Sequence, residues 1–346
     1  MKKFLLICTV LMTLVLASCS KPLEGKNEYG WYTNFNECLD QAKKENKKII
    51  HIISQDENDT VSAGLKERIF YTPEFANAFG DDFLFCETDI SLSLFKAAKP
   101  GKDADSETKK NAKKFERILE DRMRVVTTFG IENTPTLYLV TKEGYVIKDF
   151  RYLPLATVED FYVMLDEYRA EINERQNMIE NVRTSKGIER VFAIDELYES
   201  TPVTFRYMLT DLMREVEKID SKNESGLVGK FVMGIATSEV MDAYMAREPE
   251  KILGIYEECA KHPMLNPEQK QQTYFAAAHV IGTNTPTPEQ TLQMIEYLEK
   301  AIAAKPESEI ADRCRMNLEQ VKEFKGRQDA AEARKKAEAE AEADDK

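Results

Sequence analysis

Short, almost continuously apolar runs alternate with helical-period segments over the first half of the chain, and only the helical period survives beyond Val182. Phe35, Cys38, Leu39 and Ala42 recur at helical spacing and predict a short helix from Trp31 to Asn46. Lys48 to Ser54, KIIHIIS, reads as a central strand buried on both faces. A helix pattern runs from Ala63 to Phe70, restarted at Thr72-Pro73-Glu74 as a capped turn with proline first. Asp82 to Ile90, DFLFCETDI, is the next strand. Ser91 to Lys110 is charged, contains Pro100-Gly101 and reads as an insertion or loop. Phe115, Ile118, Leu119, Met123 and Val126 then repeat at helical spacing up to Phe129-Gly130. Two strands, Thr136 to Val140 and Tyr145 to Phe150, flank Thr141-Lys142-Glu143-Gly144, a hairpin signal. A long helix from Thr157 to about Ile179 closes this half.

The second half is amphipathic helix throughout, as in Phe205, Met208, Leu212, Val216 and Ile219. Segments beginning at Pro249 and Pro288 both open with Pro-Glu and close with Lys/His-Pro, predicting helix pairs about 40 residues apart. In that period, and in its AIAAKP ending, this half resembles tetratricopeptide-type repeats, the alternative for so degenerate a motif being an irregular helical bundle. Gly326 to Lys346, rich in Ala, Glu and Lys, has no apolar stripe and reads as a solvated helix.

The first half can be matched to a known pattern residue by residue. Leu65 to Phe70 aligns with a helix reading Met-Glu-x-x-x-Phe, Thr72-Pro73-Glu74 with a Pro-Glu turn, and Phe83 to Asp89 with an apolar strand ending in an acid. Thr134-Pro135-Thr136 aligns with a Thr-Pro-Thr loop. Over roughly Trp31 to Leu165 the chain thus resembles the thioredoxin-like family, which implies an α/β fold with a central mixed sheet flanked by helices. The resemblance also implies a cis bond at Pro135, whose exposed backbone pairs with an extended peptide. The ungapped alignment sets Asp59-Thr60-Val61-Ser62 on the family's Cys-x-x-Cys, with Asn58 on its tryptophan.

That substitution changes the expected chemistry. The family's first thiol ionises at a helix N-terminus and attacks a disulfide, and the second resolves the product. Asp59 and Ser62 can do neither, but they can cap the helix. Cys86, inside an apolar strand, is expected to be buried with a raised pKa. His51, without an adjacent carboxylate or cysteine, reads as a packed histidine. Ser62 with a histidine base lacks an identifiable oxyanion device or third partner.

At 346 residues, two domains are expected. The net charge of -13 disfavours nucleic acid and anionic membrane surfaces. The opening MKKFLLICTVLMTLVLASCS has a basic start, a short apolar run and small residues before a cysteine. Leu16-Ala17-Ser18-Cys19 resembles the lipobox of bacterial lipoproteins, implying acylation of Cys19 and anchoring to a bacterial membrane, periplasmic side. Cys38, Cys86, Cys259 and Cys314 remain without a metal-ligand spacing or a C-x-x-C pair, and a Cys38 to Cys86 disulfide stays open. No cofactor and no metal are expected.

The expected organisation is a signal peptide over 1–18, a tether over 19–30, a thioredoxin-like domain over 31–180, an all-helical, repeat-like domain over 181–325 and a charged tail over 326–346. The expected function is a redox-inactive module that binds or scaffolds envelope proteins. The alternative is a thiol-disulfide oxidoreductase or chaperone using a cysteine outside the motif. A structural envelope protein is a third reading.

Overall fold

The structure, a computed structural model, describes residues 25–55, 59–283 and 285–344. The expected signal peptide, Cys19, the first part of the tether and Asn58 lie outside these residues. The chain divides into two compact units. One runs to Glu180 and includes Val203–Phe205; the other comprises Asn181–Pro202 and continues from Arg206. Among the described residues, no helix is long and apolar enough to cross a membrane.

The first unit is a four-stranded mixed sheet flanked by helices. Its elements are α1 (Phe35–Glu45), β1 (Lys48–Ser54), α2 (Thr60–Leu65), a π-turn (Lys66–Phe70), α3 (Pro73–Phe79) and β2 (Phe83–Asp89). There follow α4 (Leu92–Ala98), α5 (Ser106–Thr128), β3 (Thr136–Val140), β4 (Val146–Phe150), α6 (Val158–Glu167) and α7 (Arg169–Thr184), the last passing into the second unit. The strand order is β2-β1-β3-β4, with β1 parallel to β2 and antiparallel to β3. Central placement explains the composition of β1: Ile49, Ile50, Ile52 and Ile53 are all fully buried. Each such side chain contributes about 1.5–3 kcal/mol relative to exposure. Ile50 and Ile52 join Trp31, Phe70, Phe75, Leu137 and Phe161 in the main core. His51, between them in sequence, faces Phe35, Phe129 and Tyr138. The hairpin between β3 and β4 closes at Gly144, whose φ of 99° is unfavourable for other residues.

Four expectations are corrected. Residues 91–110 are only partly a loop: α4 and the start of α5 flank a connection over 99–105, and Leu94 and Ala98 pack with Ile118 and Leu119 in a small satellite core. The few apolar residues of this segment suffice because they meet the apolar stripe of α5. The helix after β4 is not continuous. Tyr168 leaves helical geometry (φ -96°, ψ 9°), and its ring packs edge-on against Phe150. Residues 25–30 of the expected tether fold onto the domain: Asn27 is buried, and Tyr32 bridges to β2. The helix of the tail has no boundary at 326, because one helix runs from Glu309 to Asp344.

The second unit is all-helical. It contains α8 (Gly187–Ser200), α9 (Thr210–Ile219), α10 (Val228–Met245), α11 (Glu250–Lys261), α12 (Pro267–Gly282), α13 (Pro288–Ala304) and α14 (Glu309–Asp344); of the 3-10 segment Val203–Leu209 that precedes α9, the first three residues belong to the first unit and the rest to this one. From α10 onward each helix packs on the next. Reciprocal caps start two of them: Asn266 with Gln269, and Thr287 with Gln290. Fully buried Gln271 donates to Ala301 O (2.9 Å) and Lys305 O (2.8 Å), so a side chain of α12 satisfies carbonyls at the end of α13.

Candidate functional site

The site begins where β1 ends. Ser54 closes the strand and Asp59 opens α2 as its N-cap, in extended geometry at φ -129°. The Asp59 carboxylate accepts the Val61 N–H at 3.0 Å, and its other oxygen accepts the Ser62 hydroxyl. Such a cap contributes about 1 kcal/mol and places a negative charge at the positive end of a short helix. Ser62 is fully buried and committed to this bond, whereas Val61 is 63% exposed.

On the neighbouring strand, the Thr134-Pro135 peptide is cis. Thr136 pairs with Ile53, so this peptide lies at the same end of the sheet as Ser54 and the loop leading to Asp59. Register thus places residues 134–136 and the start of α2 together at one end of the sheet. Their side chains do not merge into one cluster: Asp59 and Ser62 bond each other, while the Thr136 hydroxyl donates to Asn133 O at 2.7 Å. Among the described residues, these stretches hold the exposed apolar side chain of Val61 and no cysteine.

In this unit, neither described cysteine belongs to that group of residues. Cys38, Cys86 and, in the second unit, Cys314 are fully buried free thiols, and Cys259 is a largely buried one. Burial pushes the Cys86 thiol well above its usual range, and the adjacent Cys38 adds to the effect. Burial likewise raises Cys259 and Cys314. A thiol held protonated and out of solvent is a poor nucleophile.

His51 is fully buried beneath stacked Phe35, with ring centroids 4.8 Å apart, and edge-on Phe129. Its Nε2 meets the Thr88 hydroxyl at 3.0 Å, and its Nδ1 is buried with no hydrogen-bond partner. Burial depresses its pKa from 6.5 to about 3, so the ring is neutral at ordinary pH.

Behind the loop lies a polar cluster that sequence reasoning missed. The Lys66 ammonium contacts Glu87 at 3.1 Å and the Ser54 hydroxyl at 3.0 Å, with Lys66 and Glu87 only 1% and 2% exposed. Tyr71 OH donates to the same carboxylate oxygen, and Asn27 Nδ2 donates to the other at 2.9 Å. Asn27 in turn accepts the Tyr29 and Trp31 N–H groups, both at 3.0 Å. The only available signal was Glu87 and Thr88 inside an otherwise apolar strand, which calls for a buried partner without naming it.

Comparison with known proteins places these units. Residues 35–168 match a family model described as "Thioredoxin-like domain", and residues 227–327 match one described as "Uncharacterised protein C-terminal domain". A solved structure titled "DsbH Oxidoreductase" is similar at 12% identity and a TM-score of 0.30, covering 44% of this chain and 90% of that one. At that score the likeness says nothing about activity. A search of curated proteins found no match.

Two predictions follow from the buried groups. Lys66→Met leaves the Glu87 carboxylate without its cation and is expected to cost about 3–5 kcal/mol in urea unfolding. The double variant Lys66→Met/Glu87→Leu should recover part of that loss. His51 titrates at a lower pH folded than unfolded, so the unfolded chain binds more protons between about pH 3 and 6.5. Its contribution to stability is therefore complete above 6.5 and falls as pH drops through that window. Between pH 7 and pH 5 the fall attributable to this residue is about 2 kcal/mol. Paired denaturation curves should show a smaller pH difference in His51→Phe.

Proposed function

We propose that this chain, whose residues 35–168 form a thioredoxin-like domain, is an envelope lipoprotein that binds or scaffolds proteins without exchanging disulfides. One observation carries the reading. At the positions aligned with the family's dithiol, Asp59 and Ser62 are hydrogen-bonded to each other and to the start of α2. The cap replaces a reactive group with a helix-stabilising one. Cys38 and Cys86, the cysteines remaining in this domain, are fully buried.

What persists is a surface suited to recognition. The cis Thr134-Pro135 peptide and exposed Val61 lie at one end of the sheet, where an extended peptide can pair with backbone groups. The lipobox-like Leu16-Ala17-Ser18-Cys19 supports acylation of Cys19 and an address on the periplasmic side of a bacterial membrane. Several acyl chains, at about 0.8 kcal/mol per buried CH₂, hold a protein at a bilayer stably.

Insulin-reduction assays with dithiothreitol should give the rate of the buffer alone, unchanged in Cys86→Ser. Turnover that disappears in Cys86→Ser would replace this reading with a thiol-disulfide enzyme acting through a cysteine outside the motif. In cells, labelling with a radioactive fatty acid should be lost in Cys19→Ala. A photocrosslinking residue at Val61 should trap an envelope protein, whereas one at Thr108, on exposed α5, should not.

A further inference from the structure

The first unit takes hold of the chain well before α1. Lys26 and Tyr32 form an antiparallel bridge, Thr33 N donates to Gly25 O at 2.9 Å, and Gly25 N donates to the Glu37 carboxylate of α1 at 3.2 Å. Tyr32 continues onto the edge of the sheet: its N–H donates to Phe85 O and its carbonyl accepts the Glu87 N–H, both at 2.8 Å. Buried Asn27 ties the intervening turn to the Glu87 carboxylate. Backbone pairing and a buried side chain therefore fix the chain from Gly25 onward. Between Gly25 and Cys19 stand five residues, 20–24. Fully extended, that linker reaches about 20 Å.

The turn that follows Gly25 presents a side chain suited to a bilayer surface. Tyr29 is 46% exposed, and its ring stacks on Tyr71 at 4.2 Å with the planes 6° apart. Its N–H is held by Asn27 Oδ1 at 3.0 Å, and Gly30, at a φ of 81°, closes the turn by donating to Asn27 O. The ring is thus held in place without being covered. Tyrosine, apolar in body and polar at its tip, is favourable at the level of lipid headgroups. Its neighbours Lys26 and Glu28 are both exposed and cancel in charge. The turn itself therefore escapes the repulsion that the chain's net charge of -13 brings at an anionic surface.

We propose that residues 25–29 rest on the headgroup layer of the bilayer that holds the acyl chains of Cys19, with the Tyr29 ring in contact with lipid. The proposal rests on the reading of Cys19 as acylated. A short linker keeps its two ends at an effective concentration of roughly millimolar, so a contact too weak to form from free solution is populated once Cys19 is anchored. The protein that this unit binds is then one that comes to the membrane surface, because the linker of residues 20–24 cannot carry the unit away from it.

The test uses the acylated full chain in phosphatidylcholine vesicles whose lipids carry a nitroxide on the headgroup. Glu28→Cys supplies a labelling site for a fluorophore, since Cys38, Cys86, Cys259 and Cys314 are buried. Flotation tests the premise first: the acylated chain should rise with the vesicles and Cys19→Ala should not. The comparison chain carries a flexible Gly/Ser insertion of about thirty residues after Glu24, which adds roughly 30 Å of mean reach. Quenching of the fluorophore at position 28 should be at least threefold stronger with the native linker than with the insertion. Tyr29→Ser should at least halve it with circular dichroism unchanged, and Tyr29→Trp should preserve it. Quenching no stronger with the native linker than with the insertion would overturn the proposal, as would unchanged quenching in Tyr29→Ser. A chain without an acyl group at Cys19 fails already at flotation and overturns the membrane address together with the proposal, so the two failures are distinguishable.

Discussion

The first unit depends on an ion pair taken wholly out of water. Removing an ammonium and a carboxylate from solvent costs several kcal/mol each, and their attraction offsets this only if further hydrogen bonds complete both groups. Lys66 and Glu87 meet that condition with Ser54, Tyr71 and Asn27. Those partners come from the end of β1, from β2, from the turn after α2 and from the segment before α1, so one electrostatic demand ties four stretches of chain together. The π-turn is part of the solution. On an α-helix, residues five apart point about 140° from one another. The wider turn, closed by Tyr71 N to Lys66 O at 2.8 Å, brings Lys66 and Tyr71 to the same carboxylate oxygen. The carbonyl of Phe70 then accepts the indole of Trp31 at 3.2 Å, joining the polar cluster to the aromatic core.

This arrangement fixes both ends of the loop between β1 and α2. The loop to Asp59 starts at Ser54, which the buried ammonium holds, and ends in a cap that needs no other residue. The sheet carries a second buried polar group, His51, handled by a different means. Lys66 and Glu87 are each met by hydrogen-bond partners. His51 stays neutral because burial among aromatic rings leaves nothing to stabilise its charge. Neither group is exposed to a substrate, and both make the core polar in places where a hydrophobic residue would suffice for burial alone.

Much of this was legible in the chain and some was not, for identifiable reasons. KIIHIIS specified a central strand because four β-branched residues leave no polar face. The TKEG turn specified a hairpin because its glycine takes a positive φ. The caps at Asp59 and Ser62 were foreseen from residue type, and they follow from side chains that reach the start of α2 and each other. Lys66, by contrast, read as one more position in a helix pattern, where the resembled motif carries a glutamate. Its burial depends on Glu87, 21 positions later, and Asn27 reaches that same carboxylate from 60 positions before it. Residues 91–110 read as a loop because their few apolar side chains form a face only against α5.

The sequence by itself determined what depends on neighbours within a few residues: helical and strand periods, caps and the hairpin. Tertiary structure alone decided which charges are buried and where the cis-proline loop lies relative to α2. The division has a physical cause. Periodicity and capping are local free energies. Desolvation and pairing depend on which distant segments meet, and the chain specifies those meetings only through the fold as a whole. The Thr134 to Thr136 stretch belongs to both: its residues mark the loop, and only the pairing of Thr136 with Ile53 brings it to the end of the sheet where α2 begins.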